Sequence, residues 1–259
     1  MKRVASADGT EIGYARHGEG PALLLVHGTT SDHRRWAGIS PRLEERFTVY
    51  AMDRRGRGAS GDGAEYALMR QADDIVAVVR AIDEPVSILG HSYGALCGLE
   101  AALLTAVQRL ILYEPPIPTE VPLYAPGLPE RMQTLIDAGE WESALEIMFR
   151  DVVRMPEREL ETYRRLPKWT DRVRNAPTIP REMQVERTYA FDPGRYADLR
   201  VPTLLLLGGD SPPVFRRGIE VLAAALPNSS VSVMPGQQHI AMDSNPGLFL
   251  REVVRFLQA

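Results

Sequence analysis

The fold is decided by the stretch Val86-Ser87-Ile88-Leu89-Gly90-His91-Ser92-Tyr93-Gly94-Ala95-Leu96. The apolar run 86–89 is typical of a buried strand, and the Ala- and Leu-rich run 95–104 is typical of a helix. Between them, Gly-x-Ser-x-Gly predicts a sharp strand-to-helix turn that exposes the Ser92 hydroxyl at the carboxyl end of a sheet. The pentapeptide alone is a weak signal, so its flanks carry the prediction of a nucleophile at Ser92.

The rest of the chain alternates short strands with amphipathic helices. Apolar or alternating runs predict strands at 10–16, 22–26, 47–52, 110–113, 203–207 and 231–234. Helical spacing predicts helices at 32–45, 66–82, 215–225 and 246–257. No core strand is predicted within 115–200, where proline-rich loops and helical stretches prevail. We therefore predict an α/β fold with a mostly parallel sheet covered by helices on both faces, a core domain of 1–114 and 201–259, and a helical insertion at 115–200.

Composition narrows the function classes. The 259 residues carry a net charge of −4 without a Lys/Arg run, which argues against nucleic acid as a partner. The lone Cys97 allows no intrachain disulfide and is predicted to be a buried helical residue. No pair of histidines has metal-ligand spacing, and Gly56-Arg57-Gly58 lacks the third glycine of a dinucleotide-binding loop, so no metal and no cofactor are expected. The chain reaches Asp8 before any apolar run long enough for a signal peptide, and no run is long enough to span a membrane, so we expect a cytoplasmic protein.

Ordered landmarks along the chain resemble the α/β-hydrolase superfamily. They are His27-Gly28 after an apolar strand, the loop Asp53-Arg54-Arg55-Gly56-Arg57-Gly58-Ala59-Ser60, the Ser92 motif, and the late His239. Together they span nearly the whole chain, and their joint occurrence in this order is highly specific. The resemblance implies that 115–200 forms a cap over the active site and that the loop 53–60 is structural rather than catalytic.

The resemblance also implies a base and an oxyanion hole. His239 follows the last predicted strand, which places it at the same end of the sheet as Ser92. A His-Gly turn after an apolar strand supplies an oxyanion donor in such hydrolases, so the Thr29 N–H, paired with the Tyr93 N–H, is the predicted oxyanion hole. We interpret His27 itself as a turn residue.

The acid of the triad stays open between two carboxylates. In relatives the usual acid lies three residues past the glycine that ends the strand 203–207, and that position is Ser211, so Asp210 stands one residue out of register. Glu114 directly follows the strand 110–113, where some haloalkane dehalogenases carry a Glu acid, and the run from 113 to 118 and Trp36 resemble theirs. Glu114 is favoured, and Asp210 remains a candidate.

These residues predict a serine hydrolase, carboxylesterase-like, that cleaves a small, uncharged or weakly polar carboxylic ester through an acyl-enzyme. Ser92 argues against dehalogenation and epoxide opening, which need a carboxylate nucleophile in this fold. Carbon–carbon bond hydrolysis, lactone opening and perhydrolysis are alternatives with the same triad, and a non-catalytic ligand receptor is a further one. The expected partner is a small-molecule substrate, and the near balance of acidic and basic residues in 115–200 gives no argument for a strongly charged one.

Overall fold

One eight-stranded sheet organises the chain, and the computed structural model describes all 259 residues. The strands are β1 (Lys2–Ala5), β2 (Glu11–His17), β3 (Ala22–Val26), β4 (Thr48–Met52), β5 (Val86–His91), β6 (Leu110–Tyr113), β7 (Thr203–Gly208) and β8 (Ser229–Met234). Their order is β1-β2-β4-β3-β5-β6-β7-β8, with β1–β2 and β2–β4 antiparallel and all other pairs parallel. The prediction of a mostly parallel α/β fold is confirmed.

Helices connect and cover these strands. They are α1 (Ser40–Glu44), α2 (Leu68–Ile82), α3 (Tyr93–Ala101), α4 (Leu128–Asp137), α5 (Trp141–Ile147), α6 (Glu157–Arg164), α7 (Lys168–Asn175), α8 (Ile179–Thr188), α9 (Pro213–Ala225), α10 (Ala241–Ser244) and α11 (Pro246–Leu257). Short 3₁₀ turns lie at His33–Trp36, Ala176–Thr178 and Pro193–Tyr196, and a π-helical turn lies at Met148–Val152. None of the helices combines the length and apolarity that a bilayer crossing requires.

The central strands are buried on both faces of the sheet. Along β3, Leu23 and Leu25 pack into one apolar cluster and Leu24 and Val26 into another, because successive side chains of a strand point to opposite faces. Residues of α1 and α11 belong to the first cluster, and residues of α2, α3 and α9 belong to the second. This two-sided burial explains why such strands appear in the sequence as continuous apolar runs.

Helices α4–α8 make up half of the predicted insertion, and no strand lies between β6 and β7. Buried apolar residues of this segment, among them Met132, Leu145 and Phe149, belong to the same apolar cluster as Leu23 and Leu25 of β3. The helical segment therefore shares a core with the face of the sheet that α1 and α11 cover.

Two local predictions differ from the structure. The single helix predicted at 32–45 is wrong: a 3₁₀ turn and α1 replace it, because Gly38 weakens a helix between them and Pro41 has no N–H to continue one. Strand β1 was not predicted, since it is an edge strand whose residues are mostly exposed and show no apolar alternation.

A buried ion-pair cluster ties α8 to the loop 53–60. Oε1 of Glu182 lies 2.6 Å from Nη2 of Arg54 and 2.8 Å from Nη2 of Arg57, and these side chains are almost fully buried. The Tyr66 hydroxyl donates to the same oxygen at 3.0 Å. Burial opposes ionisation of Glu182, but the two guanidinium groups outweigh it and lower the pKa of that carboxyl.

Replacing Glu182 with glutamine should lower the free energy of unfolding by about 3–5 kcal/mol, because it leaves two buried guanidinium groups without their carboxylate. Urea denaturation measures the loss. The control is Glu186→Gln in the same helix: burial raises the pKa of Glu186 to about 8, so that side chain is largely neutral at pH 7 already and the change should be small. Equal destabilisation by the two substitutions would contradict this role of Glu182.

Candidate active site

Ser92 lies in a sharp turn between β5 and α3. Its φ of 54° and ψ of −127° form a conformation that residues other than glycine rarely adopt and that costs about 1–3 kcal/mol. A Cβ atom at position 94 would lie 2.3 Å from the His27 carbonyl oxygen, and one at position 90 would lie 2.5 Å from Cα of Ala95. Glycine is required at both positions because the turn brings the backbone this close.

Two backbone N–H groups beside Ser92 are free. Tyr93 is the first residue of α3, where N–H groups have no acceptor within the helix. Thr29 follows Gly28, at which a Cβ atom would lie 3.0 Å from Cβ of Ser92, so this turn packs directly against Ser92. Neither the Thr29 nor the Tyr93 N–H donates a hydrogen bond. Both predicted oxyanion donors therefore lie next to Ser92 with no competing acceptor.

Glu114 and His239 form a buried pair at the same end of the sheet. Nδ1–H of His239 donates to Oε2 of Glu114 at 2.6 Å, and the two side chains are 5% and 0% exposed. This bond keeps the ring proton on Nδ1 and leaves Nε2 as an acceptor. His239 and Ser92 line the same cavity, without a hydrogen bond between them.

The second oxygen of Glu114 is held by the turn that follows β7. Oε1 accepts hydrogen bonds from the Gly208 N–H at 2.7 Å and from the Ser211 hydroxyl at 2.6 Å. Asp210, the other candidate acid, has an exposed side chain that makes no hydrogen bond or ion pair. The structure therefore brings Glu114, and not Asp210, to His239. Ser211, at the position where relatives carry their acid, supports Glu114 instead.

The chain was compared with known proteins. A model of the Alpha/beta hydrolase family matches residues 23–252, from β3 to α11. The chain belongs to the α/β hydrolase family. A solved α/β hydrolase from Sphaerobacter thermophilus is 31% identical to it and superposes with a TM-score of 0.88, covering 99% of this chain and 100% of that one. The resemblance stated from the sequence is thereby confirmed.

Two curated relatives of this hydrolase have named activities. An N-formylmaleamate deformylase of Pseudomonas putida is 36% identical over 137 residues, which are 48% of this chain and 51% of that protein. A 2-(acetamidomethylene)succinate hydrolase of Mesorhizobium japonicum is 27% identical over 263 residues, covering 93% of this chain and 90% of the relative. The first match thus spans about half the length of the deformylase, and the second spans most of the relative.

The cavity at Ser92 in this hydrolase is small and covered by the helical segment. Its volume of about 30 Å³ holds one or two water molecules. The sheet end contributes Thr29, Ser92 and His239 to the wall, and the helical segment contributes Met148, Phe149, Val153 and Arg172. Met148 and Phe149 lie in the π-helical turn, an irregular element that is frequent at functional sites.

Aromatic side chains that sequence reasoning missed hold the imidazole. The Phe215 ring stacks on His239 with centroids 4.4 Å apart and planes at 16°. The ring centroids of His91 and His239 lie 4.7 Å apart, and Nε2–H of His91 donates to the His239 carbonyl oxygen at 2.8 Å. The Tyr113 hydroxyl bonds the backbone of the loop 238–241. His91 and Tyr113 adjoin Ser92 and Glu114 in the sequence and could have been found that way, whereas Phe215 carried no local signal.

His27 and Cys97 have structural environments. Nδ1–H of His27 donates to the Gly28 carbonyl at 2.9 Å, and Nε2 accepts from the Arg54 N–H at 3.1 Å, so neither nitrogen is left for catalysis. This geometry agrees with the interpretation of His27 as a turn residue. Cys97 is fully buried in α3, and burial raises the pKa of its thiol to about 12.

One cluster has the composition of a metal site. Ligand atoms of Asp32, His33 and Asp53 lie within 4.8 Å of one another. Asp53 accepts from His33 Nδ1–H at 2.8 Å and from the Ala59 N–H at 2.8 Å, while Asp32 pairs with Arg34. These protein partners explain why the three side chains lie together: they fix the loop 53–60, which the sequence predicts to be structural.

Proposed function

We propose that this α/β hydrolase cleaves an acyl bond through a covalent intermediate on Ser92. The observation that carries the proposal is the buried Glu114–His239 pair, which leaves Nε2 of His239 as the acceptor in the cavity that Ser92 lines. The free Thr29 and Tyr93 N–H groups add the means to stabilise a negative oxygen at the same place.

The reaction runs in two halves. Nε2 of His239 takes the Ser92 proton as the hydroxyl oxygen attacks the substrate carbonyl, and the Thr29 and Tyr93 N–H groups hold the oxyanion, each worth typically about 10²–10³ in rate. The imidazolium then gives its proton to the leaving group, which departs and leaves the acyl ester of Ser92. A water molecule deprotonated by His239 attacks that ester, and the imidazolium returns the proton to Oγ of Ser92 as the acid is released. Glu114 keeps the imidazole in the required tautomer.

A carboxylic ester is the first candidate for the bond that is cleaved. An N-acyl bond is the second, because the two curated relatives are named for an N-formyl and an acetamido compound. Both bonds lead to the same acyl-enzyme. They differ in the leaving group, since a nitrogen must receive the His239 proton before it departs, whereas an activated alcohol leaves more readily.

The nucleophile also limits the reaction class. Attack of a serine hydroxyl on an alkyl halide or an epoxide would give an ether, which water does not cleave under these conditions. Dehalogenation and epoxide opening through an alkyl-enzyme are therefore not proposed. Carbon–carbon bond hydrolysis, lactone opening and perhydrolysis use the same constellation and are distinguished by their products.

A substrate panel tests the proposal. It contains p-nitrophenyl acetate, an N-acetyl enamide, a lactone and a β-diketone, with products identified by mass spectrometry. We expect turnover of the ester or the enamide, with a burst of leaving group that matches the enzyme concentration. Turnover of the β-diketone or the lactone alone would contradict the proposed bond. The absence of turnover and of a burst with all of these compounds would contradict the proposed enzymatic activity and favour a non-catalytic ligand receptor.

A further inference from the structure

One buried arginine differs from the others. The buried arginines are Arg35, Arg54, Arg55, Arg57 and Arg172. The first four each pair with a carboxylate at 2.6–2.8 Å, provided by Asp243, Glu182, Asp74 and Glu182 respectively. Arg172 makes no ion pair, although burial of a charge without a partner is strongly unfavourable. Arg172 therefore lacks the carboxylate at ion-pair distance that its four counterparts have.

Arg172 is held rigidly all the same. Nε donates to the Tyr163 hydroxyl at 2.9 Å and Nη1 donates to Oγ1 of Thr30 at 2.9 Å. The guanidinium carbon lies 5.1 Å from the centre of the Phe149 ring and 5.5 Å from that of Tyr163, within the range of cation–π attraction. Nη2 makes no hydrogen bond. The side chain is thus fixed by neutral partners and keeps one donor free.

The Arg172 side chain lies at the cavity that contains Ser92. Arg172 lines the cavity together with Ser92 and His239, and its partner Thr30 directly follows the oxyanion residue Thr29. Arg172 also lines an adjoining pocket of about 290 Å³. Arg172 therefore lies between the cavity at Ser92 and the larger adjoining pocket.

The adjoining pocket is lined by four basic and three acidic side chains. Asp243 pairs there with Arg35 at 2.8 Å and with Lys168 at 2.7 Å, so one carboxylate already faces two cations. Buried Nε and Nη2 of Arg35 have no hydrogen-bond partner. Asp243 thus forms its ion pairs with Arg35 and Lys168, and it acts on Arg172 only from beyond ion-pair distance.

We infer that Arg172 binds a carboxylate of the substrate, next to the acyl group that Ser92 attacks; the inference rests on the proposed acyl transfer. The free Nη2 group can donate a charge-assisted hydrogen bond to a carboxylate, and a side chain that is already fixed loses little entropy on binding. An anion at this position would supply the counter-charge that Arg172 lacks. The substrate is then a small ester or N-acyl compound that carries a carboxylate, in place of the uncharged ester expected from the sequence.

Two esters of the same shape test the inference. Monoethyl fumarate carries a carboxylate where ethyl crotonate carries a methyl group, and the wild type should have the higher kcat/KM on the anion. Arg172→Met keeps the apolar stem but removes the charge, so kcat/KM on monoethyl fumarate should fall roughly 100-fold. The fall in kcat/KM on ethyl crotonate should be about ten times smaller. Arg172→Lys should retain part of the preference, because it keeps the charge without the fork.

The matched control is Arg174→Met, an exposed residue of the same helix α7, which should leave the preference unchanged. Equal losses on the two esters in Arg172→Met, or a wild type without preference, would overturn the inference and leave the proposed hydrolysis intact. Absence of turnover on every acyl compound, together with absence of phosphonylation at Ser92, would count against the proposed function instead.

A measurement on the unsubstituted protein covers the case in which Arg172→Met does not fold. Fumarate and fumaramide have the same shape and differ in charge. Fumarate should slow the labelling of Ser92 by a fluorophosphonate at concentrations at which fumaramide has no effect. Equal protection by both, or protection by neither, would overturn the inference.

Discussion

Replacing Ser92 with alanine should lower kcat by about 10⁶-fold on any substrate that the panel identifies. The physical reason is that the proposed covalent intermediate forms on the Ser92 hydroxyl, which alanine lacks. Residual hydrolysis would come from water attacking a carbonyl that the Thr29 and Tyr93 N–H groups still polarise. Steady-state kinetics measure the loss, and the burst of leaving group should disappear.

The matched control is Ser87→Ala, a buried serine of the same strand β5 that does not line the cavity. This variant should retain its kcat within about threefold, as expected for a residue outside the catalytic unit. Turnover by Ser92→Ala close to that of the wild type would exclude Ser92 as the nucleophile, and comparable losses in both variants would indicate a general loss of folding.

Replacing Glu114 with glutamine should lower kcat by about 10⁴-fold, because it forces the wrong tautomer on His239. The Gly208 N–H and the Ser211 hydroxyl both donate to Oε1, so the amide oxygen of the new side chain must take that position. Its NH₂ group then faces Nδ1 of His239, which becomes an acceptor. The ring proton moves to Nε2, and Nε2 can no longer take the proton of Ser92.

Asp210→Asn is the paired measurement for the acid. The Asp210 side chain is exposed and contacts neither His239 nor Glu114, so kcat should stay within about threefold of the wild-type value, as for a surface substitution. Circular dichroism and a thermal melt establish that both variants are folded. A folded Asp210→Asn with a large loss, beside an active Glu114→Gln, would reverse the assignment of the acid.

The nucleophile turn was predictable from the sequence because its determinants are local. Gly90 and Gly94 are required by atoms within a few residues or in the adjoining strand end, and the strand and helix on either side have clear patterns. The same holds for the buried parallel strands, whose apolar runs predicted their positions closely. By contrast β1, an exposed edge strand, has no such pattern.

The acid depended on contacts that the sequence does not display. Glu114 is held by Gly208 and Ser211, which are 94 and 97 residues away, and their proximity follows only from the pairing of β6 with β7. Comparison with relatives placed Ser211 at the usual position of the acid, but only the structure shows that its hydroxyl donates to Glu114. The sequence alone therefore could not decide between Glu114 and Asp210 as the acid.

The roles of Arg172 and Glu182 were not predictable for the same reason. Arg172 bonds Thr30 over a separation of 142 residues, and Glu182 bonds Tyr66 over 116 residues. Both residues lie in amphipathic helices of the segment 115–200, where charged residues are common and mostly solvated. Only the packing of this segment on the sheet end shows which of them are buried.

Three of the five non-glycine residues with positive φ lie at or beside the proposed site. Thr30, Ser92 and Glu114 have positive φ values of 57°, 54° and 45°. Each follows the end of a parallel strand, where the chain must turn sharply to present a side chain at the sheet edge. Strain of this kind persists only where the surrounding structure holds it, which is consistent with a site that is preorganised before substrate binds.

The most direct test of the central claim is the position of a covalent adduct. The protein is treated with a fluorophosphonate, digested and analysed by tandem mass spectrometry. We expect a phosphonylated Ser92, no adduct in Ser92→Ala, and much slower labelling in His239→Ala, since the hydroxyl then has no base. An adduct on another residue, or labelling of Ser92→Ala at the wild-type rate, would contradict it.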